Sequence, residues 1–387
     1  MSDAIAVRPI PYDVSCEKAE EGEAETTSAL IDTLRKIAET TFKDQGFPTR
    51  SVHAKTHGLL RGELRVLPGL APELAQGLFA TARPDSTNSA YPVVMRLSTV
   101  PGDLLPDSVS TPRGLAIKVI GVEGPQLSDT GASDTNLSGA GASVTNIAQD
   151  FVLVDGPAFG APDAKSFLKN LKLLASTTDK GESLKKGFSA LARVAEKAVA
   201  SVSGPSPTLV SLGGHPETHI LGETFYTQVP ILYGKWMAKL CVAPVSPELV
   251  ALAGAPLNVN GKPDGLRQAV IDHFARTGGE WEVRVQLCTD LEAMPIENAS
   301  TIWPEDQSPY RPVARITVAP QAAWSEARAA ALDAGLSFSP WHGLAAHRPL
   351  GSIMRVRKAV YETMAAWRSS RADKPVSEPR SAADLPD

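Results

Sequence analysis

Three short stretches of this sequence set ionisable side chains where they could act together. "TRSVHAKTHG" puts His53 just ahead of a strand-like run, with Arg50 and Lys55 beside it. "VMRLSTVPGD" puts Arg96 and Ser98 on one face of an extended segment, because alternate residues of a strand share a face. "SIMRVRKAVYETM" reads as a helix and sets Arg357 one turn before Tyr361 on the same face. An imidazole exchanges protons near neutrality, and a guanidinium stabilises an anion. Each stretch also has a plain structural reading: a hydrogen-bonded strand-end histidine, a strand arginine, a surface arginine beside a half-buried tyrosine.

Other chemistries find little support. The seven histidines (His53, His57, His215, His219, His273, His342 and His347) form no HExxH or other compact metal-ligand spacing. His215 and His219 are four apart in "GGHPETHILGE", but the glycines and Pro216 oppose the helix that would align them, which leaves a zinc-binding loop pair as the alternative reading. There is no GxSxG, no P-loop and no dinucleotide fingerprint after a strand. Cys16, Cys241 and Cys288 are far apart and odd in number, so they read as structural thiols of a reducing cytoplasm.

The elements that must position these residues are legible from periodicity. Leu30, Ile31, Leu34, Ile37 and Ala38 repeat at helical spacing until Gly46 and Pro48. Four strands follow, over 59–67, 91–99, 113–122 and 149–155, each short, rich in β-branched residues and bounded by turn formers. The Ser/Gly/Thr/Asn-rich stretch between the last two is a loop. Helical runs start near Pro162 and at Ser183; the basic residues of the second read as a solvated face. Four more strands are expected over 223–231, 235–243, 281–290 and 313–320, interrupted by the helix "PDGLRQAVIDHFART". Such spacing suits a closed antiparallel barrel with helices outside it, an α+β fold. We expect an extended arm over 1–24, one domain over 25–370 with its last helix at 352–368, and a disordered tail over 371–387.

With 43% hydrophobic residues, 21% charged residues and a net charge of −5, the chain has globular composition. It lacks the basic stripe of a nucleic-acid binder and any apolar run long enough to span a membrane. The N-terminus has no secretory pattern, and a cytoplasmic location is expected.

Taken together, "RSVHAKTHG", "MRLSTVPGD", "TPRGLAIKV" and "RVRKAVY" resemble, in the same order, stretches of the haem catalase superfamily, and in particular its small catalase-related haem protein and peroxidase subgroup. The likeness runs from Arg50 to Tyr361. It implies an eight-stranded antiparallel barrel and haem b, with Tyr361 as the tyrosinate ligand of the iron and Arg357 as the cation that keeps it anionic. It implies that His53 is the distal proton acceptor and donor, supported by Ser98, with Val100 lining the substrate channel. Val52 would flank the haem, Arg50 and Arg96 would pair with its propionates, and Phe159 would pack against it. The distal asparagine falls on Asn146.

The pattern also departs from catalases. Thr56 and His57 stand where catalases have Gly-Ala, and Thr111 replaces an acid of the peroxide channel. His57 reads either as a distal-side participant or as a surface residue. The shorter chain implies a lower oligomeric state, a dimer rather than an interlocked tetramer. The resemblance implies a haem peroxidase acting on hydrogen peroxide or organic hydroperoxides, with weak catalase activity. Alternatives are a haem enzyme that rearranges fatty-acid hydroperoxides, or a haem-binding barrel without turnover.

Overall fold

Alternation along the strands sorts the side chains into two layers. In β2 (Ala90–Thr99), Val93, Met95 and Leu97 join one large apolar cluster, whereas Val94 joins a second cluster on the other face, the face that also carries Arg96 and Ser98. The same sorting recurs in β1 (Thr56–Val66), β3 (Arg113–Val122) and β4 (Ile147–Val154). The computed structural model describes residues 8–80, 90–127, 147–175, 215–330, 335–372 and 379. Asn146, the helical run from Ser183 and most of the tail lie outside the described residues.

The second half of the chain supplies β5 (Phe225–Tyr226), β6 (Ile231–Tyr233), β7 (Trp236–Pro244), β8 (Gly279–Leu287) and β9 (Arg311–Val318). All pairings are antiparallel and run β5-β4-β3-β2-β1-β9-β8-β7-β6, and a further β5–β7 pairing closes the ring. The result is the expected eight-stranded barrel, because β5 and β6 form two halves of one stave along β7. Its lumen is the large cluster, which takes Leu60, Leu64, Leu115, Ile117, Phe151, Leu240, Val242, Val283 and Ile316 from strands around the ring.

One expected strand is divided. Between β5 and β6, Gln228 adopts a left-handed φ of 63° and Pro230 has no N–H to donate. The Thr227 hydroxyl accepts from the Leu240 amide at 3.1 Å, and Gln228 turns away to donate to the carbonyls of Gly156 and Ala158 at 3.1 and 2.7 Å.

Helices cover the outside. α1 (Glu23–Gln45) ends at Gly46, whose φ of 79° is the left-handed stop that glycine supplies. α2 (Ala164–Ala175), α3 (Gly265–Phe274) and α4 (Ser352–Ser369) follow, with one-turn helices at Pro247–Val250 and Glu326–Arg328. In α4, Val356, Val360, Met364 and Trp367 form one stripe, and it packs on Leu30, Leu34 and Ile37 of α1. Arg355 leaves α4 on another face and ties it to Glu17, Glu23 and Glu297 at 2.8–3.2 Å. No helix among the described residues is long and apolar enough to cross a membrane.

Candidate functional site

Between the outer face of β2–β4 and the helices lies a cavity that opens to solvent. Its wall brings together Arg50, Val52, His53, Arg96, Ser98 and Tyr361, residues that are up to 311 positions apart. Leu34 of α1 and Val360, Met364 and Arg368 of α4 complete the helical side.

His53 sits in the loop before β1 at a φ of 53°, a left-handed conformation uncommon outside glycine. Its surroundings hold it there. Its amide donates to the Val100 carbonyl at 2.7 Å, and the Ala54 amide donates to Pro101 at 3.0 Å. Arg96 Nη2 donates to the His53 carbonyl at 2.8 Å. The ring is set by two β-strand neighbours: Nδ1 lies 3.0 Å from Ser98 Oγ, and the ring edge packs on Gly114, which faces Ser98 in the β2–β3 ladder. A Cβ at Gly114 would lie 2.5 Å from the ring, so only glycine leaves room for it. Burial, and after it the charges of Arg96, Arg357 and Arg50, lower the His53 pKa to about 3. The imidazole is therefore neutral at ordinary pH and has a lone pair for a proton.

On the helical side, Arg357 Nη2 donates to Tyr361 Oη at 2.6 Å, and the guanidinium carbon lies 5.2 Å from the ring centroid. A charged donor this close stabilises negative charge on the phenolic oxygen. The other nitrogen of Arg357 reaches Met354 Sδ at 3.5 Å, and the Met354 carbonyl accepts from Trp341 Nε1 at 2.7 Å. At the rim, Arg50 and Arg368 converge on one acceptor, the Leu336 carbonyl, at 3.1 and 2.7 Å.

Arg368 was not among the residues singled out from the sequence. It stands seven residues after Tyr361, two turns along the same helix face, and that spacing is the signal that could have found it. Gly114 was missed as well, because a glycine shows its role only through what its missing side chain would strike. Phe159 is not in the cavity wall: it stacks edge-to-face on Phe167 at 5.1 Å, beside Met354 and Ile353. His57 is at neither expected place. It is wholly buried, its Nε2 is 3.2 Å from Thr99 Oγ1 and its Nδ1 is 4.0 Å from Asp107 Oδ2. Thr111 is buried, and its carbonyl accepts from Arg113 at 3.3 Å.

No known family profile matches this sequence, and no curated protein does. Solved structures do match in fold. A fungal catalase is 18% identical with a TM-score of 0.54, over 96% of this chain and 66% of that one. Catalase A from Saccharomyces cerevisiae is 15% identical with a TM-score of 0.54, over 96% of this chain and 68% of that one. The chain therefore has a catalase-like fold, and it spans about two thirds of the length of those catalases.

Proposed function

We propose that this protein binds haem b in the cavity between the barrel and α4 and acts on peroxides. One observation carries the reading: His53 with Ser98 from the barrel side and Tyr361 from the helices line the same cavity, and Arg357 donates to the Tyr361 oxygen. The donor set fits the group. The Tyr361 oxygen would hold the ferric iron, and Arg50, Arg96 and Arg368 line the wall where planar guanidinium groups would meet the carboxylates of the bound group. Leu34, Val52, Val152, Phe338, Val360 and Met364 offer apolar surface to a macrocycle. Bound there, haem would supply the redox chemistry that peroxide cleavage needs.

The chain's own residues handle protons and charge. Neutral His53 takes the proton from one peroxide oxygen and returns it to the other. Ser98 fixes the ring through Nδ1, which leaves Nε2 as the accepting atom. Arg357 keeps negative charge on the Tyr361 oxygen, and the arginines at the rim fix the orientation of the bound group. Asn146 is the residue we assign to the distal amide. Peroxidase turnover with organic donors and weak catalase turnover are the activities we assign.

Absorption spectra of the purified protein and of Tyr361→Phe test the binding step. A ferric haem spectrum that changes in the variant is expected; a haem-free protein, or an unchanged spectrum in Tyr361→Phe, refutes it. Oxygen release from hydrogen peroxide, with and without a phenolic donor, then tests the chemistry. Consumption of a fatty-acid hydroperoxide without any donor would instead assign the protein to hydroperoxide rearrangement.

A further inference from the structure

The barrel has a weak seam. Neighbouring strands share ladders of up to nine residue pairs, but β4 and β5 share one, Val154 with Tyr226. Polar side chains gather at that seam. Asp155 directly follows β4, Glu223 precedes β5 by two residues, and His215 comes from the segment leading into it. One ligand atom of each lies within 4.8 Å of the others, the one such group of three among the described residues. We propose that Asp155, His215 and Glu223 bind one divalent transition-metal cation, Zn²⁺ by ligand type, which fastens the seam between the two halves of the barrel.

Three features of the side chains support this. The first is His215, which is buried and turns Nε2 towards the two carboxylates while Nδ1 faces the Pro216 carbonyl and Arg113. That Nε2 lies 2.6 Å from Asp155 Oδ2, so a ring nitrogen and a carboxylate oxygen already converge on one point. The second is Asp155, whose side chain is 1% exposed and whose Oδ1 has no hydrogen-bond donor among the described residues. The third is the charge sum. Arg113 sits against the Nδ1 edge of His215 and donates to the Pro216 carbonyl at 3.1 Å. One guanidinium against the carboxylates of Asp155 and Glu223 leaves a net negative charge for a cation.

The stereochemistry is within reach. One nitrogen and two carboxylate oxygens are ordinary zinc ligands, with bonds near ~2.0–2.2 Å and ligand–ligand edges of about 3.3 Å in a tetrahedron. The 2.6 Å contact must therefore open by under ~1 Å, a small side-chain rotation. Thr218 Oγ1 donates to one oxygen of Glu223 and so orients that carboxylate.

The experiment uses the full-length protein, with whatever haem it carries, freed of metal by a chelator. Zinc chloride is titrated in by calorimetry, and unfolding is followed by circular dichroism with and without the ion. We expect one equivalent bound and a midpoint raised by at least about 2 °C. His215→Gln and Glu223→Gln should each weaken binding tenfold or more and abolish the shift. Glu223→Gln keeps an oxygen for Thr218 and serves if His215→Gln does not fold. Absence of stoichiometric binding of Zn²⁺ or Mn²⁺ overturns the proposal and leaves a proton shared between His215 and Asp155. Equal affinity in wild type and both variants overturns it too, since the ion is then bound elsewhere. Neither readout depends on haem or on peroxide turnover.

Discussion

Gly114→Ala isolates the placement of His53 from every other property of the site. The added Cβ would lie 2.5 Å from Cε1 and Nδ1 of His53 and 2.9 Å from Ser98 Oγ. Ordinary van der Waals contact begins at 3.4 Å, so the ring or the strand must shift by about 1 Å. The backbone itself does not resist, because Gly114 is not in the left-handed region. The substitution also leaves Tyr361, Arg357, Arg50 and Arg368 untouched. Displacing a proton-transfer group by about 1 Å costs on the order of 100-fold in rate, about 2.7 kcal/mol of activation free energy. The expected result is a kcat/KM for hydrogen peroxide lowered about 100-fold at unchanged haem content and unchanged ferric spectrum. Ser98→Ala in the same background should add little, because both changes act through the same imidazole. A variant that keeps its haem and runs within about threefold of wild type would refute the assignment of His53 as the proton-handling group.

Further expectations concern the anchoring of the site and its pH limits. Arg368→Gln should weaken haem retention, measured by transfer to apomyoglobin, by about tenfold for the loss of one charge-assisted contact, with His53 chemistry intact in the fraction still loaded. His347, 1% exposed, accepts from the Leu78 amide at 3.0 Å, and burial lowers its pKa from 6.5 to about 4. Its neutral form is required in the fold, so its contribution is complete above pH 6.5 and is lost as pH falls towards 4; about 2 kcal/mol should go between pH 7.5 and 5. His347→Gln, followed by urea unfolding, should remove that part of the pH dependence. Lys118 and Asp150 form a buried pair at 2.8 Å, and Asp150 also accepts from the Ser339 amide at 3.0 Å. Lys118→Met removes the buried cation and leaves Asp150 with the Ser339 amide and His342, and should cost about 3 kcal/mol in urea unfolding.

The barrel was legible because its signals are local and repeated. Each strand alternates in the residues that face the lumen, and turn formers bound it. The departures have equally local causes. Gln228 and Pro230 break the stave read as one strand at 223–231, and only the tertiary contacts of Gln228 with Gly156 and Ala158 explain why the break is useful. The strand read over 59–67 begins at Thr56, and its ladder shifts register between Thr56 and Gly58, where the His57 side chain meets Thr99 and Asp107. Arg368 reads from sequence as a cation at a helix C-terminus, a common surface feature, and only the fold turns it towards the cavity.

The two sides of the cavity differ in how much of the chain must be right for them to exist. Arg357 and Tyr361 need one helix, and any sequence that keeps α4 keeps their 2.6 Å contact. His53 needs a left-handed residue in a loop, two backbone bonds to the Val100–Pro101 segment, a β2 arginine beneath its carbonyl, and a glycine on β3. Small changes at any of these would move the imidazole without unfolding the barrel. A chain with this fold can therefore keep the Arg357–Tyr361 side of the cavity while the His53 side drifts, which is why fold similarity at 15–18% identity fixes the architecture and leaves any reaction to be read from His53 and its neighbours.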